Sequence, residues 1–168
     1  VMIVPSVGPP TAYGFHNLYG PTEGTIITTA FPIDRLYDRV PIGKPVDNTR
    51  IYILDSHKRL APIGVAGELC IAGRGVARGY FGRPELTQEK FISNPFTTEE
   101  DYKRLYRTGD VVRYLPDGNL DFVGRNDFQV KIRGFRVELP EIEGRIRAFP
   151  SIKDASVLPM DAPGGGKC

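Results

Sequence analysis

Cysteine is nearly missing from this 168-residue chain, which holds only Cys70 and Cys168. Two cysteines make no disulfide framework, so a reducing cytoplasm is the expected setting. Histidine is as scarce. His16 and His57 have no partners at metal-ligand spacing, nor do the cysteines, which argues against a His/Cys metal cage and a Cys–His nucleophilic pair. No apolar run is long enough to cross a bilayer and no signal-peptide pattern opens the chain, so no membrane partner is expected. An excess of either charge is lacking too. The formal net charge is +2, too small a basic field for nucleic acid to be the main partner. A glycine-rich stretch at 73–80 lacks the Gly-Lys-Ser/Thr ending of a phosphate loop and reads as turns leaving a strand.

What is present fits a globular protein, with 40% hydrophobic and 25% charged residues and enough length for a domain with its own core. Nineteen glycines and fifteen prolines predict frequent turns and few long helices. Residues 1–4 read as a short strand and 5–10 as a loop. Residues 26–30 are β-branched and strand-like, while 49–54 alternate toward two faces and 67–72 form another strand. A short helix is expected over 84–91, before the break at Asn94-Pro95. Strands at 111–114 and 120–123 flank Pro116-Asp117-Gly118-Asn119, a strong hairpin turn. Beyond Phe128 the pattern becomes a strand pair (129–132, 135–138), a helix opened by Pro140, and a strand at 155–158. Ile142, Ile146 and Phe149 give that helix an apolar face. This makes a small α+β unit, with a boundary near Asp127 between residues 1–126 and 127–168. The opening valine and the Gly-Gly-Gly-Lys-Cys ending lead us to expect a piece of a longer protein.

Four segments carry candidate chemistry. In Asn17-Leu18-Tyr19-Gly20-Pro21-Thr22-Glu23, a tyrosine ring can stack on a purine. The Gly-Pro turn can bring Thr22 and Glu23 back to the same side. The threonine can donate to a phosphate oxygen, and the glutamate can hold Mg²⁺, which favours a carboxylate plus phosphate oxygens. The same residues also read as a surface turn with a half-buried tyrosine. Asp110, exposed by Thr108-Gly109, has two oxygens that match a ribose diol, or it accepts local backbone N–H groups. Arg125 offers donors for ribose or phosphate, or pairs at the surface with Asp127. Lys131, Arg133 and Arg136 around Gly134 form a basic cluster that either meets a phosphate-bearing partner or lies on a solvated strand face.

Taken in order, NLYGPTE, GELCIAGRGVARGYFGRPELT, LYRTGD and GRNDFQVKIRGFRVELPEIE closely resemble motifs of nonribosomal peptide synthetase adenylation domains. These belong to the adenylate-forming superfamily, with acyl-CoA ligases and luciferase. PIGKPVDNTRIYILD between them is also typical, whereas residues 1–16 match poorly. The resemblance implies an α+β fold: the β-rich distal part of a large domain (a sheet edge plus a β-barrel-like subdomain), then the start of a small C-terminal subdomain.

It also implies roles. Tyr19 would stack on adenine and Asn17 would meet its edge. Thr22 would touch phosphate, Glu23 would bind Mg²⁺, and Asp110 would hold the ribose hydroxyls with Arg125 nearby. Leu18, Ile26 and Ile27 would line an amino-acid pocket, and their apolar character favours an apolar substrate. Asp127 matches a hinge. The loop holding Lys131, Arg133 and Gly134 would face the phosphopantetheine of a peptidyl carrier protein domain, among neighbouring synthetase domains. Gly24 stands where threonine or alanine is common. The phosphate loop would precede Val1 and the adenylation lysine would follow Cys168, so ATP-dependent formation of aminoacyl-AMP is expected of a longer protein. Two rivals remain open: an acyl- or aryl-CoA ligase, and a non-catalytic nucleotide- or partner-binding module.

Overall fold

The structure is a computed structural model, and it describes residues 2–6, 14–126, 129–132 and 135–160. By internal contacts the chain divides into two compact units, residues 1–124 and 125–168.

In the first unit, β1 (Met2–Ser6), β2 (Gly14–Tyr19), β3 (Thr29–Ile33) and β4 (Lys44–Pro45) form an antiparallel sheet in that order. Pro5 and Ser6 belong to β1, so the loop expected from residue 5 begins later. The expected strand start at Ile26 is also corrected: β3 begins at Thr29. Gly20 explains the difference. A methyl there would overlap the Ile26 carbonyl, so the 20–28 connection folds tightly back on itself. Gly24 and Ile26 both donate their N–H groups to the Pro21 carbonyl, at 3.0 and 3.1 Å. Closing that turn puts Thr25 and Ile26 at φ 63° and 70°, in the left-handed region that β-branched residues avoid. Propensity for a strand loses to turn closure.

The second sheet takes β5 (Thr49–Leu54), β6 (Gly67–Gly73), β8 (Arg104–Tyr114) and β7 (Phe91–Ser93) in that order, with β9 (Leu120–Arg125) also paired to β8. The long β8 carries β7 at its start and β6 over its middle, and a register shift between Glu68 and Cys70 bends the ladder. β6 is the central strand. Leu69 and Ile71 face one core cluster, Cys70 and Ala72 another, and all four are at most 1% exposed. Covering both faces explains the uninterrupted apolar run. The first cluster joins the sheets, packing Tyr19 and Ile42 with Ile51, Ile53, Leu69, Ile71, Phe91, Tyr106, Val112 and Leu120. Each fully buried aliphatic side chain there stabilises by about 1.5–3 kcal/mol. The turn at 115–119 closes as its residues predict, with Leu115 N–H on the Asn119 carbonyl at 2.7 Å. Helix α1 (Pro84–Lys90) starts on its proline and ends before β7.

In the second unit, β10 (Gln129–Ile132) and β11 (Phe135–Glu138) pair as a hairpin, followed by α2 (Leu139–Arg147). The predicted apolar face of α2 is poorly covered, with Ile142 at 39% exposure, and Phe149, at 63%, lies beyond the helix end. The strand expected at 155–158 does not form. The Val157 N–H instead donates to Glu143 Oε1 on α2, at 2.9 Å. Among the described residues no helix is long and apolar enough to cross a membrane.

Candidate nucleotide site

β2 presents Asn17 and Tyr19 on its buried face, two residues apart, as strand alternation requires. Leu18, between them, is half-buried. Asn17 is 1% exposed. Its Nδ2 donates to the Pro41 carbonyl at 2.7 Å, while Oδ1 has no partner among the described residues. A buried carbonyl with spare acceptor capacity suits a donor such as an exocyclic amine.

The Tyr19 hydroxyl donates to Asp110 Oδ2, joining β2 to β8 across the core. The tyrosine ring is therefore itself a core element, buried at 8% exposure and tilted against Phe122 at 6.4 Å. The Tyr19–Asp110 contact was not legible in the sequence, where the two residues stood as separate motifs. Asp110 is buried, and its N–H donates to Thr108 Oγ1 at 2.9 Å. Gly109 takes φ 75° without breaking β8, which runs unbroken over Arg104–Tyr114, so the exposed turn expected at Asp110 is corrected to a buried mid-strand position. A carboxylate has about four acceptor positions, so the bond from Tyr19 does not exhaust Asp110.

Thr22 and Glu23 lie in a 3-10 turn (Thr22–Gly24) directly after Gly20-Pro21. Thr22 is exposed, whereas Glu23 is buried at 7% exposure. A buried ionised carboxylate needs hydrogen bonds to offset its lost hydration. Tyr80 Oη supplies one, donating to Glu23 Oε1 at 2.7 Å. The glycine-rich stretch, read from sequence only as turns, clasps this segment. Ala77 N–H donates to the Glu23 carbonyl at 2.8 Å, and the Thr25 hydroxyl donates to the Gly75 carbonyl. A Cβ on Gly24 would come within 2.9 Å of Thr28 Oγ1, so the departure at Gly24 keeps this turn uncrowded. Tyr106 lies beside the pair. Burial first, then hydrogen bonding to Tyr80 and the charge of Glu23, raise its phenol well above the usual range. Sequence reasoning missed Tyr80. Its signal was a tyrosine ending a run of glycines, a place where a side chain is anchored after a flexible stretch.

Ile26 and Ile27 stand exposed on the strained turn, at 63% and 39%. Arg125 is half-buried at the end of β9 and falls in the second unit. Lys131 belongs to β10, opposite Arg136, not to a loop. Asp127, Arg133 and Gly134 lie outside the described residues.

The donor set of the first unit fits a nucleotide with a hard cation. It combines an aromatic ring, two buried carboxylates, a hydroxyl and a carbonyl with spare acceptor capacity. No group of three His, Cys, Asp or Glu side chains forms a metal cage among the described residues. A cation held by one protein carboxylate and completed by phosphate oxygens matches Mg²⁺.

Comparison with known proteins points to an enzyme family that binds AMP. The family of AMP-binding enzymes matches residues 8–81. Bacitracin synthase 1 of Bacillus licheniformis is 55% identical over 147 residues, 88% of this chain and 3% of that protein. Malpibaldin synthetase of Mortierella alpina is 55% identical over 148 residues, 86% of this chain and 3% of its own length. The structure of PA1221, an NRPS protein containing adenylation and PCP domains, superposes with a TM-score of 0.75 at 38% identity, covering 89% of this chain and 31% of that one. A four-domain nonribosomal peptide synthetase bound to AMP and glycine is 45% identical, with a TM-score of 0.59 and coverage of 90% and 11%. The chain thus spans a small part of each relative. In sequence and in its strand-rich α+β fold, it belongs to the adenylation domains of nonribosomal peptide synthetases, within the AMP-binding enzymes.

Proposed function

We propose that the protein bearing this chain activates an amino acid with ATP as aminoacyl-AMP, releasing pyrophosphate, and passes the aminoacyl group to the phosphopantetheine thiol of a peptidyl carrier protein domain. The observation that carries the proposal is the joining of Tyr19 to Asp110, together with the clasped, buried Glu23. Three separated motifs thereby meet around one core. Asp110 takes the ribose hydroxyls, Tyr19 and Asn17 meet adenine, Thr22 contacts phosphate and Glu23 holds Mg²⁺. Arg125 assists at the ribose. Leu18, Ile26 and Ile27 face the amino-acid side chain, and their apolar character favours an apolar substrate. Charge at the α-phosphorus is stabilised by groups already in place, which is where such catalysis gains most. Asp127 serves as a hinge between residues 1–126 and 127–168, and the 131–134 segment, with Lys131, Arg133 and Gly134, meets the pantetheine arm. The solved relatives that hold adenylation and PCP domains together support a carrier protein as partner. Neighbouring synthetase domains and a cytoplasmic setting complete the reading.

The test is amino-acid-dependent ATP–pyrophosphate exchange by the complete adenylation domain holding this sequence, across a panel of amino acids. One apolar amino acid is expected to lead. Asp110→Ala should raise the KM for ATP about tenfold or more whichever amino acid is used, since a hydrogen bond to a charged group is worth about 1.5–3 kcal/mol. Exchange with no amino acid, or an unchanged KM for ATP, overturns the reading. Coenzyme A outperforming the carrier as acceptor would make it a CoA ligase instead.

A further inference from the structure

Tyr80 holds none of the roles above, yet it is anchored through its backbone and its ring where its hydroxyl meets Glu23. Its N–H donates to Thr87 Oγ1 of α1 at 2.9 Å. The Thr87 hydroxyl is itself tied to the Arg83 carbonyl at 2.8 Å. Its ring meets Phe91 edge-on at 5.4 Å, and Phe91 packs on Tyr106 at 5.0 Å. Preceding Gly79 has φ 150°, and a Cβ there would overlap the Thr87 methyl, so the backbone approaches α1 as closely as it can. Backbone and ring are both fixed before the hydroxyl reaches Glu23 Oε1. A side chain so restrained loses little freedom when it holds a partner, and it leaves the partner few rotamers.

We propose that Tyr80 is a positioning residue for the cation site: its hydroxyl on Oε1 fixes the Glu23 carboxylate so that the group stays oriented for a divalent ion. This rests on the reading of Glu23 as the Mg²⁺ ligand. Hydrogen bonds to metal-binding carboxylates orient them, and losing such a partner costs about 10–100-fold in metal affinity. The alternative is a purely structural tie between the 22–25 turn and the glycine-rich segment. That tie is already made by Ala77 N–H and Thr25 Oγ1 through backbone carbonyls, which need no carboxylate.

The experiment uses the complete adenylation domain with Mn²⁺ as probe. Bound Mn²⁺ is counted by electron paramagnetic resonance with a non-hydrolysable ATP analogue and no amino acid, so the readout is independent of turnover. Tyr80→Phe keeps the ring and removes only the hydroxyl. It should weaken Mn²⁺ about tenfold, and raise the Mg²⁺ needed for half-maximal exchange by the same factor, while kcat at saturating Mg²⁺ and the KM for the amino acid stay within twofold. Glu23→Gln is the reference. If Glu23→Gln weakens Mn²⁺ and Tyr80→Phe does not, the positioning role is overturned and Glu23 keeps its assignment. If Glu23→Gln leaves Mn²⁺ unchanged, the cation reading of Glu23 falls, and the proposal with it. Should Tyr80→Phe unfold, Thr87→Val frees the Tyr80 backbone without touching Glu23. A weakening of Mn²⁺ beyond twofold then supports the role, and an affinity within twofold overturns it.

Discussion

At the residue scale, the informative positions are those where local preference is defeated. Ile26 has φ 70° and is 63% exposed, so it bears a left-handed backbone without burial to offset it. A non-glycine residue there costs roughly 1–2 kcal/mol, less for asparagine, which bonds locally. Ile26→Asn in the complete domain should therefore raise stability by about 1 kcal/mol in urea denaturation. If Ile26 lines the proposed pocket, the change should also lower exchange with the preferred amino acid, because an apolar wall becomes polar. Lower stability would show that the turn is not strained, and unchanged preference would remove Ile26 from the pocket. Strain kept beside a candidate site is a recurring feature of functional loops. Tyr19, Thr22 and Glu23 stood out in the sequence as candidates by residue type, and Asn17 through the resemblance alone. Tyr80 did not, because its importance comes from what it touches.

At the element scale, β6 shows how a strand buried on both faces alters chemistry. Cys70 is 0% exposed, and its thiol is pushed up to about 12 by burial, with the nearby Glu68 charge adding to it. Its folded pKa thus lies above the unfolded one, so the folded state keeps a proton that the unfolded state gives up. The sign follows: the contribution is fully present below about pH 8.5–9 and is lost as pH rises toward 12, at up to about 1.4 kcal/mol per pH unit. Burial also raises Tyr106 and Tyr114, which join above pH 10. In a Cys168→Ser background, urea stability should fall between pH 9 and 10, and Cys70→Ala should flatten that fall while lowering stability at pH 7 somewhat. An equal slope with and without Cys70 would show that the thiol is not shielded. Element positions came through well where periodicity and turn chemistry agreed, as at 49–54, 84–90 and the 115–119 turn. They failed at 26–28 and 155–158, where β-branched residues were drawn into a tight turn or a side-chain contact.

At the scale of the whole molecule, the division between residues 1–124 and 125–168 is the consequential feature. On the proposed function one site would serve two half-reactions and so need a moving part, and hinges are a few element-terminal residues that absorb large backbone changes. Proline fixes φ near −65° and restricts the residue before it. Asp127→Pro in the complete domain should hold one orientation. If that orientation is the adenylating one, pyrophosphate exchange survives while carrier loading falls by about tenfold or more, the scale on which a misplaced catalytic group costs rate. Timing both half-reactions on one preparation checks this. Normal rates for both would remove the hinge, and equal loss of both would mean misfolding.

The sequence by itself determined the kinds of groups available and most strands, because hydrophobic period, turn residues and short polar motifs are local properties of the chain. Only the tertiary structure decided which of those groups meet. The Tyr19–Asp110 bond, the Tyr80 hold on Glu23 and the burial of both carboxylates depend on antiparallel pairing and on one core shared by two sheets. Such contacts join residues far apart in the chain. No local pattern encodes them, because the free energy that places them is the burial of the core as a whole.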